Sequence, residues 1–201
     1  MKSSERLNPE AKSRILDAAR GSLLEHGYSG LSTRKVAAAA DVPLSLIHYH
    51  FGSKRNMILE LFEAENRSRL ERQAAMFDGE MPLWKQWEEA CNYLEEDLAS
   101  GYVRVLNEVM AAGWADEEVA VAVRGQVRGW FDLLATVVAR VQDRFGGIGL
   151  FTVQEVAALA GLPFLGAEMV ILLGIPEEDL PARSALRKVA LVIRSMEEGD
   201  V

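Results

Sequence analysis

Apolar residues recur at three- and four-residue spacing along almost the whole chain, which predicts helices rather than strands. Asn8-Pro9-Glu10 reads as a helix start, with Asn as N-cap, Pro at the first helical position and Glu near the positive dipole end. Ile15, Leu16, Ala19, Leu23 and Leu24 then form one stripe, and Gly27 stops the helix. A short helix over Thr33–Ala40 places Val36, Ala37 and Ala40 on one face, and a second covers Leu44 to about His50. Ser53 caps a long helix from Lys54 to Phe77, with Met57, Ile58, Leu61, Phe62 and Glu65 along one side. Further helices are predicted at Leu83–Ser100, Tyr102–Trp114, Glu117–Phe145, Thr152–Leu173 and Ala182–Met196, with breaks at Gly101, Gly113–Asp116, Gly146–Gly149 and Gly174–Pro176. No stretch alternates with period two beside turn signals. The expectation is an all-α chain of about nine helices.

The stretch TRKVAAAADVPLSLIHYHFGSK, Thr33 to Lys54, is the one that points to a function. Asp41 lies where the chain must turn, and Asp tolerates the left-handed conformation. Pro43 has a φ already set for a first helical turn. Two short helices around a tight turn have the geometry of a helix-turn-helix, whose second helix reads the DNA major groove. So short a second helix needs neighbours to hold it.

Charge sharpens this picture. Residues 1–55 carry nine Lys/Arg against five Asp/Glu, a balance of +4, and all three histidines. The remainder carries 13 basic and 25 acidic residues, or −12, and the two parts sum to the formal −8. Attraction to phosphate acts over about 10 Å, so the local sign governs, and an acidic body discourages unspecific adhesion. The lone Cys91 excludes an intrachain disulfide and suits a reducing cytoplasm, and the polar N-terminus shows no secretory signal. Val156 to Ile175 carries only Glu168 as a charge, but with Pro163 and three glycines it reads as a buried bundle or interface helix, not a membrane span.

The run ILDAARGSLLEHGYSGLSTRKVAAAADVPLSLIHYHFGSK resembles the N-terminal domain of TetR-type transcriptional regulators. The matching features are Ile15-Leu16-Asp17-Ala18-Ala19, Gly27-Tyr28, Thr33, Val36-Ala37, Val42, Tyr49, Phe51, Ser53 and Lys54, over about residues 8–60. The resemblance implies a three-helix DNA-binding head, 1–53, on a larger helical ligand-binding and dimerising body, 54–201, with the helix from Lys54 joining them rigidly. It implies phosphate contacts from Thr33, Tyr49 and Lys54, which fix register without reading sequence. Ser45 and His48 are candidates for base edges, and Arg34 and Lys35 reach base or backbone. The chain departs from the family at Asp41, where Gly is usual, at Pro43, where Ser or Thr caps the recognition helix, and at Leu44 and Leu46, often polar. Leu44, exposed beside Pro43 at the helix start, would touch a thymine methyl, so a site of A·T character is expected.

One short helix makes a small interface, so two heads about 34 Å apart on a palindrome are expected, and with them a homodimer. Leu159, Leu162, Val170 and Leu173 in one apolar helix, with Leu186, Val189, Ile193 and Met196 in the last, would form a four-helix interface with their symmetry mates. The aromatic body suggests a small-molecule pocket, with Trp84, Trp87, Asn92, Tyr102, Asn107, Met110, Trp114, Trp130 and Phe164 as candidate lining and Glu108, Gln126 and Glu168 as further polar anchors. Aromatic residues at helical spacing equally make an ordinary core. The expected function is a cytoplasmic repressor released from a double-stranded operator by a small apolar or aromatic ligand. A regulator with no small-molecule input and an activator are the alternatives. No G-x-S-x-G, P-loop or H-E-x-x-H motif is present, and Cys91 has no His nearby in sequence, so neither catalysis nor a cofactor is expected. His48 and His50 face different ways on a short helix, so no metal is expected either.

Overall fold

The computed structural model describes residues 9–145 and 149–199. Among these are nine helices and no strand: α1 Pro9–Gly30, α2 Thr33–Ala39, α3 Leu44–Phe51, α4 Lys54–Phe77, α5 Leu83–Ser100, α6 Tyr102–Gly113, α7 Glu117–Phe145, α8 Val153–Leu172 and α9 Ala182–Glu198. The all-α prediction therefore holds, and the helix bounds follow the predicted ones closely. The expected Asn8 cap and the break over residues 146–148 lie outside the described residues.

The chain divides into two compact units that do not follow sequence order. The first comprises the residues up to Arg67 together with Arg104–Gly125, and the second Ser68–Val103 with the residues from Gln126 onward. The boundary expected between residues 53 and 54 falls inside the first unit, which also takes in a segment from α6 and α7.

In the first unit, the α1 stripe buries Ala11, Ile15, Ala19 and Leu23. Val36 and Ala37 of α2, and Leu46, Ile47 and Phe51 of α3, are buried as well. These α2 and α3 helices are too short to persist alone and depend on this packing. Gly27 interrupts α1 with φ 68°, the left-handed region that favours glycine. On α4, Met57, Ile58, Leu61 and Phe62 are buried, and Arg20 of α1 donates to Glu65 at 2.8 Å. Lys12 and Glu60 form a second ion pair between α1 and α4.

In the second unit, α5 packs on α9 and α8. Its core gathers Cys91 and Leu94 from α5, Phe164 and Ala167 from α8, and Leu186 from α9, with Trp87 and Trp130 against them. The Trp87 and Phe164 rings stand 5.3 Å apart, and the Trp87 indole N–H donates to the Leu186 carbonyl at 2.7 Å. Burial pushes the Cys91 thiol up to about 11, so it is an inert core residue. α8 starts with a capping box, Thr152 with Glu155, and crosses α7 at the buried Gly161, where a Cβ would stand 2.7 to 3.0 Å from Phe131, Leu134 and Trp130.

Candidate nucleic-acid interface

The geometry of the turn begins with α2. It stops at Ala39 because Ala40, at the C-cap, leads into Asp41 with φ 51°, the one non-glycine left-handed residue among those described. An aspartate serves there in place of glycine. Val42 N–H donates to the Ala37 carbonyl at 3.0 Å and closes the turn. Pro43 is the N-cap of α3, the position expected from a helix that starts at Leu44, and has extended backbone (φ −62°, ψ 140°). Its carbonyl accepts the Leu46 N–H at 2.9 Å. Gly52 ends the helix with φ 73°, and Ser53 Oγ accepts the Asn56 N–H at 3.1 Å, as the cap expected for α4.

This arrangement sorts the α3 side chains. Leu46, Ile47 and Phe51 point inward, while Ser45, His48 and Tyr49 are exposed, Tyr49 by 53%. Leu44 is half-buried and Pro43 exposed at the start of the same helix. On α2, Arg34 and Lys35 are exposed and, among the described residues, engage no carboxylate, while Thr33 is half-buried at the first position of the helix. The candidate contact residues of α2 and α3 thus fall on the outer side of their helices, a surface that carries cations, hydroxyls and an imidazole.

Lys54 is differently placed. Its ammonium donates to the Tyr28 carbonyl at 2.5 Å and lies 4.6 Å from the Tyr28 ring centre, and burial pulls its pKa down. The Tyr28 peptide is held on its other side too, because its N–H donates to Glu108 Oε2 at 2.8 Å. Beside it, Arg55 pairs with Asp116 at 3.2 Å and Glu118 at 2.7 Å. Burial opposes ionisation of Asp116. Hydrogen bonds from Arg55 and from the Val119 and Glu118 N–H groups outweigh it and hold the pKa below the ordinary value. None of these links was legible locally, since Glu108 and Asp116 lie 80 and 61 residues from their partners.

His50 is half-buried between the rings of Tyr49 and Phe51, at 5.2 and 6.0 Å. No group of three potential metal-binding side chains occurs among the described residues.

Residues 15–61 match the family model of bacterial regulatory proteins of the tetR family. The head is similar to the N-terminal domain of the tetR family. Solved structures extend the likeness to the whole fold. A member of the TetR family from Streptomyces coelicolor A3 superposes with a TM-score of 0.67 at 25% identity, over 92% of this chain and 98% of that one. A TetR transcription regulator from Haloarcula marismortui gives 0.74 at 15% identity, over 92% and 97%. The regulator FadR from Bacillus subtilis, in complex with stearoyl-CoA, gives 0.72 at 14% identity, over 90% and 96%. No curated protein sequence matches the chain. The nine helices form a TetR-like all-α fold with a helix-turn-helix head.

Beyond the TetR-type head, the candidate residues fare unequally. Trp114 is 88% exposed. Asn92 is exposed as well, and spends its amide on Glu89 and Arg187. Glu108 is committed to Tyr28 rather than free to anchor a ligand. Asn107 and Met110 belong to the first unit, and Trp84, Trp87, Tyr102, Trp130 and Phe164 to the second. In the second unit Trp87, Trp130 and Phe164 share the core described above. The Trp130 indole N–H donates to Gln73 at 2.8 Å. Tyr102 is buried with the Arg69 guanidinium 3.6 Å from its ring centre, and Trp84 lies beneath Arg194 at 5.1 Å.

Of the candidate interface residues, Leu186 is buried within its own chain and cannot meet a partner. Val170, Val189 and Ile193 are half-buried. Leu159, Leu162 and Leu173 are exposed by 57, 55 and 71%, alongside Met169 and Leu172 on α8 and Leu191, Val192 and Met196 on α9. Leu191 and Val192 fell outside the predicted stripe because the inward face of α9 runs through Leu186 and Ala190 instead.

Proposed function

We propose that the protein is a non-enzymatic, cytoplasmic transcriptional regulator that binds a palindromic DNA operator as a homodimer and represses from it. The observation that carries this reading is the outer side of the α2 and α3 helices, where Arg34, Lys35, Ser45, His48 and Tyr49 stand exposed on a TetR-type helix-turn-helix. Thr33, Tyr49 and the two basic residues would hold phosphates, while Ser45 and His48 reach base edges and Leu44 meets a thymine methyl. Lys54 keeps donors beyond the one given to Tyr28 and would add a phosphate contact.

The second copy would dock on the apolar side of α8 and α9. α8 is long and apolar enough to cross a membrane, with 22% of its most apolar window buried. An unpaired face of this size favours a partner helix. Its continuation onto α9 through Leu191, Val192 and Met196, and its packing on α5 and α9, favour a second copy of the same pair over lipid.

For the input, an apolar or aromatic small molecule would bind the body and favour a shape with lower DNA affinity. The acyl-CoA bound by the Bacillus subtilis relative supports a body of this fold taking such a ligand. A second reading, a regulator without a small-molecule input, is favoured by the Trp87–Phe164 core, whose indole N–H is already satisfied within the protein. Selection of bound sequences from random double-stranded DNA tests the function: an enriched site with two-fold symmetry supports it, and no enrichment overturns it. Tryptophan quenching by acyl-CoA and aromatic compounds, followed against DNA affinity, separates the two inputs.

A further inference from the structure

The exposed imidazole of His48 is tied to one of its two tautomers. Its Nδ1 lies 3.3 Å from the Gly52 carbonyl oxygen, while the Gly52 N–H donates to the His48 carbonyl at 3.0 Å. Side chain and backbone of His48 are therefore both tied to the glycine that ends α3, whose left-handed φ of 73° sets the direction of that carbonyl. A carbonyl oxygen only accepts, so Nδ1 must carry the hydrogen. In a neutral imidazole the other nitrogen, Nε2, is then a bare acceptor.

That assignment has a consequence for base reading. In the major groove the donors are the exocyclic amines, N6 of adenine and N4 of cytosine, while guanine O6 and N7 and thymine O4 only accept. Resting on the DNA-binding reading above, we propose that His48 is a specificity-determining residue whose Nε2 accepts a hydrogen bond from an adenine or cytosine amine. Guanine or thymine at the same place would set acceptor against acceptor. Tyr49, the next exposed residue, serves register, so His48 carries discrimination that the family's phosphate contacts do not. An adenine here would also suit the A·T character expected beside Leu44.

The test is selection from random DNA at pH 8 with the full-length wild type and with His48→Ala, followed by affinity for the selected site. One base pair in each half-site should be fixed with the wild type and become indifferent with His48→Ala, the rest of the site unchanged. Replacing the adenine or cytosine of that pair by its analogue without the exocyclic amine should weaken the wild type about tenfold and leave His48→Ala unaffected. The analogue measurement needs no variant to fold. An amine-free analogue that binds the wild type as tightly as the parent site, or identical selected sites for the two proteins, overturns the inference while leaving DNA binding intact. No enriched site with the wild type would remove the DNA-binding reading itself, and the inference with it.

Discussion

The carboxylate of Glu108 accepts the backbone N–H of Tyr28 at 2.8 Å and fills the space where a side chain on Gly27 would begin. A residue of α6 thereby caps the kink that ends the regular part of α1, within the same compact unit. A charged acceptor on a backbone donor is worth roughly 1.5–3 kcal/mol. Glu108→Ala should therefore lower the unfolding free energy of the first unit by about 2 kcal/mol, and Glu108→Gln, which keeps an acceptor, by less. Amide exchange at Tyr28 reports the bond directly: it should accelerate in the alanine variant, and unchanged protection would contradict the assignment. Gly27→Ala should be at least as damaging, because it adds left-handed strain to a Cβ 3.0 Å from Glu108 Oε2.

A half-buried carboxyl in the second unit, Glu168, makes a pH prediction. Burial, and then the repulsion of Asp97, push the Glu168 carboxyl up from 4.5 to about 7. The folded state thus holds a proton that the unfolded chain releases, and this stabilising contribution is complete below about pH 4.5 and lost as pH rises through about 7. The shift corresponds to on the order of 3 kcal/mol. Glu168→Gln should raise the melting temperature clearly at pH 8 and hardly at pH 4.5. An equal shift at both values would show that ionisation of Glu168 does not limit stability.

The apolar side of α8 and α9 separates association from folding. Leu162→Glu places a charge on an exposed position and should leave the monomer folded while abolishing the dimer in light scattering. Leu186→Ala instead opens a cavity beside Trp87 and Phe164, and should cost about 2–5 kcal/mol of stability whatever the oligomeric state. A Leu162→Glu protein that remained dimeric would place the interface elsewhere.

Gly161 is a point of close helix approach. Gly161→Ala would press a methyl group against Phe131, Leu134 and Trp130 and should destabilise the second unit by about 1–3 kcal/mol. Gly125→Ala, inside α7 with nothing within 4 Å, is the control and should be neutral or slightly stabilising. Urea denaturation of the two variants decides it, and equal midpoints would refute the packing argument.

How much of this was legible in the sequence depends on the range of the interaction. The nine helices were, because capping residues and apolar periodicity act within a few residues: Ser53, Thr152 and Gly101 mark ends that the structure reproduces. The sorting of α3, with Ser45, His48 and Tyr49 exposed and Leu46, Ile47 and Phe51 turned inward, is set by its packing in the first unit. The engagement of Lys54 with Tyr28, and of Glu108 and Asp116 with residues far upstream, was not legible, since tertiary packing alone brings them together. The aromatic residues misled for a related reason. Composition cannot distinguish Trp87, turned into a core, from Trp114, turned to solvent.

The central claim is that two α3 helices act together on one DNA site. Affinity and stoichiometry on the full selected palindrome, compared with a duplex carrying one half-site beside unrelated sequence, test it most directly. Two chains should bind the palindrome, and the half-site should be weaker by about two orders of magnitude, because the second head then loses its specific contacts. One chain bound to either duplex with the same affinity would contradict the account.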